Sequence, residues 1–232
     1  MVGLFLLLQL LGRGIAKSIG CENELVAVQP GIRKIAEGKQ WLNIHSRRYV
    51  PQNGDTVIGI IAPNSGSEMF KVDIGAVDYG YVNFLSFEGK LLFFNLICAT
   101  KRNRPTLKTG DLIYARVISA SKHSETELTC IDAEGRARGM GLLPSHGFVF
   151  RCSINLVNRI LSPSSSLLSL IGYHLKFEIA CGANGRIWIA GKNSNEISAI
   201  CRIIRDSEFI KDSDIPDFID KRIGILNGMD VE

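Results

Sequence analysis

Between residues 55 and 132 the chain is cut into five short runs with the patterning of β-strands. "DTVIGII" (55–61) is β-branched and apolar, and "EMFKVDI" (68–74) alternates Phe70, Val72 and Ile74 with Lys71 and Asp73, the period-2 pattern of a sheet with one wet face. "YVNFL" (81–85), "DLIYARVISA" (111–120) and "ELTCID" (127–132) follow. Asn64-Ser65-Gly66 marks a turn between the first two strands, and Lys108-Thr109-Gly110-Asp111 announces the fourth. Five strands this short, packed into about 80 residues, predict a sheet that closes on itself, and the OB barrel is the common five-stranded solution.

Beyond Gly139-Met140-Gly141 helices enter the pattern. "FVFRC" (148–152) reads as a strand, and Ile154, Val157, Ile160 and Leu161 recur at helical spacing until Pro163 stops them. "SSLLSLIG" (165–172) reads as a second helix ending at Gly172, "YHLKFEIA" (173–180) and "RIWIA" (186–190) as strands, and Ile197, Ile200, Ile203 and Ile204 mark a longer helix with Ser194 as its N-cap. The order β-α-α-β-β-α is that of a eukaryotic-type KH domain. A last helix is expected in "DIPDFIDKRIGIL" (214–226). The expected fold is mainly β with α+β: a small β-rich module over 1–50, with 1–20 unassigned, a five-stranded OB barrel over 51–135, and a KH domain with its C-terminal helix over 140–232.

A KH module clamps single-stranded nucleic acid with a G-x-x-G loop between its first two helices, where backbone N–H groups reach phosphates. That connection is "SPSSS" (162–166), without glycine or positive charge. The chain does contain the pattern, as Gly182-Ala183-Asn184-Gly185, but between two strands. Gly182, Asn184 and Gly185 are therefore expected to form a structural turn, glycine and asparagine supplying positive φ.

Composition restricts function more than it specifies it. The formal charge of +4 permits an anionic partner without demanding one. Six cysteines occur without a C-x-x-C pair, the four histidines are scattered, and no nucleophile has a recognisable surround, so neither a metal, a cofactor nor a catalytic centre is expected. The cysteines read as packing thiols of an intracellular protein. Leu4 to Leu11 is apolar, but it lacks a preceding basic segment and the length to span a bilayer, so an element packed on the rest of the chain is expected rather than a signal peptide or membrane anchor.

The stretches "RRYVPQNGDTVIGII", "FKVDIGA", "LSFEG", "ATKRNRP", "GDLIYARV", "CIDAEGRARGMG" and "GANGRIW", in that order, resemble the S1/KH-type cap subunits of the eukaryotic RNA exosome. The resemblance implies an S1-type barrel and a non-catalytic subunit. Such a subunit sits with two other cap proteins on a ring of RNase PH-like proteins and leads RNA 3′ ends to the channel for rRNA processing and RNA turnover in nucleus, nucleolus and cytoplasm. The β-rich N-terminal module would join cap to ring. A sister cap subunit and a free-standing S1/KH RNA-binding regulator are the alternatives. On the barrel, Lys71 and Tyr81 are candidate RNA contacts, as is the cluster Lys101, Arg102 and Arg104, which suits RNA phosphates or a neighbouring subunit equally. The aromatic Phe70 shares its face with Val72 and Ile74 and is expected in the core. "KLLFFNLIC" (90–98) separates two blocks that adjoin in the family and reads as an apolar insert in a barrel loop.

Overall fold

The computed structural model describes residues 10–226 except 13, 19, 29, 37–38, 45–47, 64–68, 90–96, 99–106, 122–123 and 164. Two compact units divide at residues 47 and 48. In the first, β1 (Leu10–Leu11) pairs in parallel with β5 (Lys39–Ile44), which pairs antiparallel with β4 (Gly31–Ala36); β2 (Ile15–Ser18) and β3 (Cys21–Ala27) form a separate hairpin. Gln40 is buried here and accepts a 2.6 Å hydrogen bond from Arg33 Nη2, so its burial leaves no orphan oxygen.

The second unit opens with the barrel. Its strands are β6 (Thr56–Ile61), β7 (Met69–Asp73), β8 (Gly80–Asn83), β11 (Leu112–Ser121) and β12 (Ser124–Thr129), ordered β12-β8-β7-β6-β11, and the β11–β12 pairing closes the ring. The predicted alternation is what fills it: Val57, Val72, Ile74, Val82, Ile113, Ala115, Val117 and Leu128 point inward. Phe70 packs against the same core, half-buried, edge-on to Phe87 with centroids 6.2 Å apart, and Phe84 is buried. The Lys108–Asp111 turn forms with Gly110 at φ +95°. Between β8 and β11, β9 (Glu88–Gly89) pairs antiparallel with β10 (Ile97–Cys98), the last two residues of the apolar insert; residues 90–96 of that insert, and the Asn64-Ser65-Gly66 turn, lie outside the described residues. A short β13 (Gly141–Leu142) adds itself to β11.

The KH half follows the expected order: β14 (Phe148–Arg151), α1 (Ile154–Leu161), α2 (Leu167–His174), β15 (Phe177–Cys181), β16 (Arg186–Gly191) and α3 (Ser194–Asp206), then α4 (Ile215–Leu226). Ser153 caps α1, its hydroxyl accepting from the Leu156 N–H at 3.1 Å, and Leu156, Val157 and Ile160 bury the face that follows. Several boundaries differ from the sequence reading, among them that of β8, which ends at Asn83 because Phe84–Ser86 form a 3-10 turn. α2 runs through Gly172 to His174, where the Leu175 N–H donates to the Ile171 carbonyl at 3.0 Å, and the alternation from Tyr173 becomes a true strand only at Phe177. α3 takes Ser194 as its first residue, with Asn193 before it. β12 starts three residues early, where Ser124 meets Ser121 at the hairpin end.

The antiparallel KH sheet, ordered β14-β16-β15, is covered on both faces. One face puts Phe150, Cys181, Ile187 and Ile189 against the helices. On the other, Trp188, Ala180, Ala190 and Val149 meet Ile58, Leu112, Tyr114 and Leu143 of the barrel side. Trp188 is 3% exposed and donates its indole N–H to the Pro144 carbonyl at 3.3 Å. Gly147 lies so close to that ring that a Cβ there would overlap it. Strand β16 is thus apolar on successive residues rather than alternating, since it has no wet face.

Candidate nucleic-acid interface and the joint behind it

The turn between β15 and β16 faces the barrel. Strand β6 pairs with β7 only at Ile60↔Asp73 and Ile61↔Val72, so the backbone groups of Thr56 and Ile58 that point to the β7 side have no strand to meet. The turn meets them. The Ala183 N–H donates to the Thr56 carbonyl at 2.7 Å. The Asn184 amide then behaves as a peptide group would: its Nδ2 donates to the Ile58 carbonyl at 2.8 Å and its Oδ1 accepts from the Ile58 N–H at 3.4 Å. The same Nδ2 donates to the Ile74 carbonyl at 2.8 Å. Residues 182–186 thereby supply the missing partner of a barrel strand.

Arg186 completes the joint. At 3% exposure its guanidinium donates to the Asp73 carbonyl at 2.6 Å, to the Ile58 carbonyl at 3.3 Å and to Asp73 Oδ2 at 2.8 Å. Partial burial pushes the Asp73 carboxyl up, but the Gly75 N–H, the Arg186 hydrogen bond and charge, and Arg151 together outweigh it and hold the group below its ordinary value.

Of the three turn residues expected to have positive φ, only Gly185 does, at +81°, and a Cβ there would stand 2.7 Å from the Cys152 carbonyl. Gly182 has an ordinary φ and is needed for a different reason: a Cβ would come within 2.7 Å of the Ile58 N and collide with Asn184 Oδ1. Asn184 also has an ordinary φ, and its amide carries the role that its backbone was expected to carry. Each half of the joint lies more than 100 residues from the other, and no local pattern in either half signals the pairing.

The proposed RNA-facing residues fall elsewhere. Lys71 and Tyr81 sit opposite each other in the β7–β8 ladder, both half-buried. Lys71 places its Nζ 4.1 Å from the centroid of the Tyr79 ring, an aromatic the strand pattern does not reveal because it lies in the irregular link before β8. Desolvation, and after it the charge of and hydrogen bond to Glu125 and the charge of Asp78, push the Tyr81 phenol up. Lys101, Arg102 and Arg104 lie outside the described residues. On the loop after β12, Arg138 takes positive φ (44°) and pairs with Asp132 at 2.6 Å and Glu134 at 3.0 Å, so its guanidinium is already engaged by carboxylates. Among the described residues no three His, Cys, Asp or Glu side chains come together as metal ligands, and no helix is long and apolar enough to cross a membrane.

Residues 49–141 match the family model for the S1 domain of exosome complex component RRP40, and 147–195 match a KH domain model. Exosome complex component RRP40 of Drosophila melanogaster is 37% identical over 196 residues, covering 84% of this chain and 78% of the fly protein. The chain belongs to the RRP40 family of exosome components. The human RRP40 is 39% identical over 171 residues, 74% of this chain, and the chain spans 58% of the human protein's length. A crystal structure described as an exosome complex RNA-binding protein superposes with a TM-score of 0.58 at 27% identity, covering 77% of this chain and 99% of its own. The S1 match contains Thr56, Ile58, Asp73 and Ile74 and the KH match contains Ala183, Asn184 and Arg186, so the joint runs between the two matched halves.

Proposed function

We propose that this chain is a non-catalytic cap subunit of an RNA exosome, which holds single-stranded RNA near its 3′ end and contacts ring and cap neighbours while other subunits cut. The observation that carries the reading is the match to RRP40 proteins through both the S1 and the KH halves, at 37% identity over most of the fly protein. In this reading RNA runs along the outer face of β7 and β8, with Lys71 and Tyr81 as contacts, and the basic residues Lys101, Arg102 and Arg104 extend that path or meet a neighbouring subunit. The buried G-x-N-G turn takes no part in it, because its amides are used by the barrel. Residence in nucleus, nucleolus and cytoplasm belongs to the same proposal.

The test is the native size of the protein in cell extract, together with the subunits recovered through an affinity tag. Migration in a large assembly with RNase PH-like subunits is expected, and migration at the mass of the free chain overturns the cap reading. Changing Lys101, Arg102 and Arg104 to Ala separates their two roles. RNA contact predicts a salt slope flatter by up to about 2 units, at ~0.7 per phosphate on a single strand, whereas a subunit contact predicts lost co-purification with RNA affinity intact.

A further inference from the structure

Lys71 and Tyr79 form a pair that the strand pattern alone passes over. The ammonium of Lys71, on β7, stands over the ring of Tyr79 at 4.1 Å from its centroid, while Tyr79 remains 45% exposed. A cation at that distance is held by the ring's negative face, so it fixes the ring's orientation as well as covering one side of it. Close to half of the residue stays open to solvent in spite of that contact. Tyr81 is the contrasting case: its hydroxyl is held by Glu125, and the Glu125 and Asp78 carboxylates are near enough to act on it. Those carboxylates disfavour a phosphate at the Tyr81 hydroxyl itself, so in the RNA reading the Tyr81 contact is its ring against an uncharged base, and the phosphate lies on the Lys71 side.

Aromatic platforms that are already oriented lose little freedom when a base stacks on them, and on a small barrel the second and third strands with their connecting loop present them. Tyr79 lies in that connection, between β7 and β8. We infer that Tyr79 is a stacking platform for one base of single-stranded RNA, positioned by Lys71, which in turn serves the adjoining phosphate. The inference rests on the RNA-binding reading above and adds the residue and the mode of contact. Because Asp78 is next in the chain, the Tyr79 contact is with the base and not with the phosphate, and it is indifferent to base identity since every base has a π-face.

The two residues therefore leave different signatures. The assay is equilibrium binding of the full chain to a 5′-fluorescein single-stranded oligoadenylate of about 12 nucleotides, a length within the usual site size, at several salt concentrations. Tyr79→Ala and Tyr79→Leu should each weaken binding roughly 5- to 150-fold with an unchanged salt slope, and Tyr79→Phe should bind like the wild type. Lys71→Ala should weaken binding and flatten the slope by about 0.7. Tyr79→Leu keeps bulk in the link and guards against a loss caused by misfolding, which an unchanged melting temperature confirms. Wild-type affinity in both Tyr79→Ala and Tyr79→Leu overturns the inference while leaving the RNA reading intact. A flattened slope in those variants, or normal RNA affinity with lost subunit co-purification, overturns it too, in favour of an ionic or a protein contact. A wild-type chain that binds no oligoadenylate at any salt overturns the RNA reading, and the inference with it.

Discussion

Replacing Asn184 with alanine tests the joint at its centre. The substitution removes the donor to the Ile58 and Ile74 carbonyls and the acceptor for the Ile58 N–H. The Ile58 carbonyl keeps Arg186 Nη1 at 3.3 Å, which leaves the Ile58 N–H and the Ile74 carbonyl without partners. An orphaned buried group costs about 1–3 kcal/mol, and the 3.4 Å bond to the Ile58 N–H is the weaker of the two, so the loss is about 2–4 kcal/mol. In a folding unit of this size that lowers the melting temperature by roughly 5–15 °C. Asn184→Asp sharpens the test, since its shape is unchanged but at neutral pH a carboxylate faces two carbonyls. It should destabilise more than alanine at pH 7 and recover on acidification, because burial against two carbonyls raises the carboxyl's pKa above its unfolded value, so that acid protonates it in the folded chain and returns one donor. Thermal melts by circular dichroism at pH 5 and pH 7, alongside RNA titrations, decide the matter. A variant that melts with the wild type yet loses RNA affinity would refute the joint and restore the turn as a nucleic-acid clamp.

Three further outcomes are expected. Gly182→Ala and Gly185→Ala should each destabilise by about 1–3 kcal/mol in chemical denaturation, the first through collision with Ile58 and the second through strain at φ +81°; tolerance of both would mean the turn is looser than its contacts require. Because the Asp73 carboxyl is held below its ordinary value of 3.8, its contribution to stability is complete above that value and is lost as pH falls through the lower folded value. Asp73→Asn should therefore flatten the acid limb of the melting profile below about pH 4, and identical acid limbs would remove Asp73 from the account. Burial pushes the Cys130, Cys152 and Cys181 thiols up to about 12, so iodoacetamide at pH 8 should leave them unmodified in the native chain and label them in denaturant, read by mass spectrometry of the peptides.

The elements were legible in the sequence where one face of each is wet. Phe70, Val72 and Ile74 against Lys71 and Asp73, and Ile154, Val157 and Ile160 along a helix, state their periods directly, and the β-α-α-β-β-α order follows from them. What the sequence left open is what depends on distance in space. Arg186 reads as the first residue of a strand, and nothing near it announces the carboxylate 113 residues earlier that it binds. In the sequence Gly182 signals only a backbone angle, although the constraint on it comes from Ile58, a neighbour that exists only after folding. Tyr79 stands in the irregular "GAVDYG" link, where no alternation assigns a side chain to one face or the other, so only its packing under Lys71 singles it out.

The barrel strand completed by the KH turn has a consequence during synthesis. The ribosome delivers the S1 half first, and the groups of Thr56 and Ile58 that Ala183 and Asn184 will meet remain an unpaired sheet edge until residues 182–186 have emerged. At about 5–20 residues per second that interval lasts roughly 2–10 seconds. Through it the nascent chain displays a β-branched strand edge beside the apolar surface that Trp188 later covers, the kind of surface that pairs with other chains. That surface is open while the residues from about 141 to 186 are being made, and a chain truncated before Gly182 would carry the exposed edge permanently.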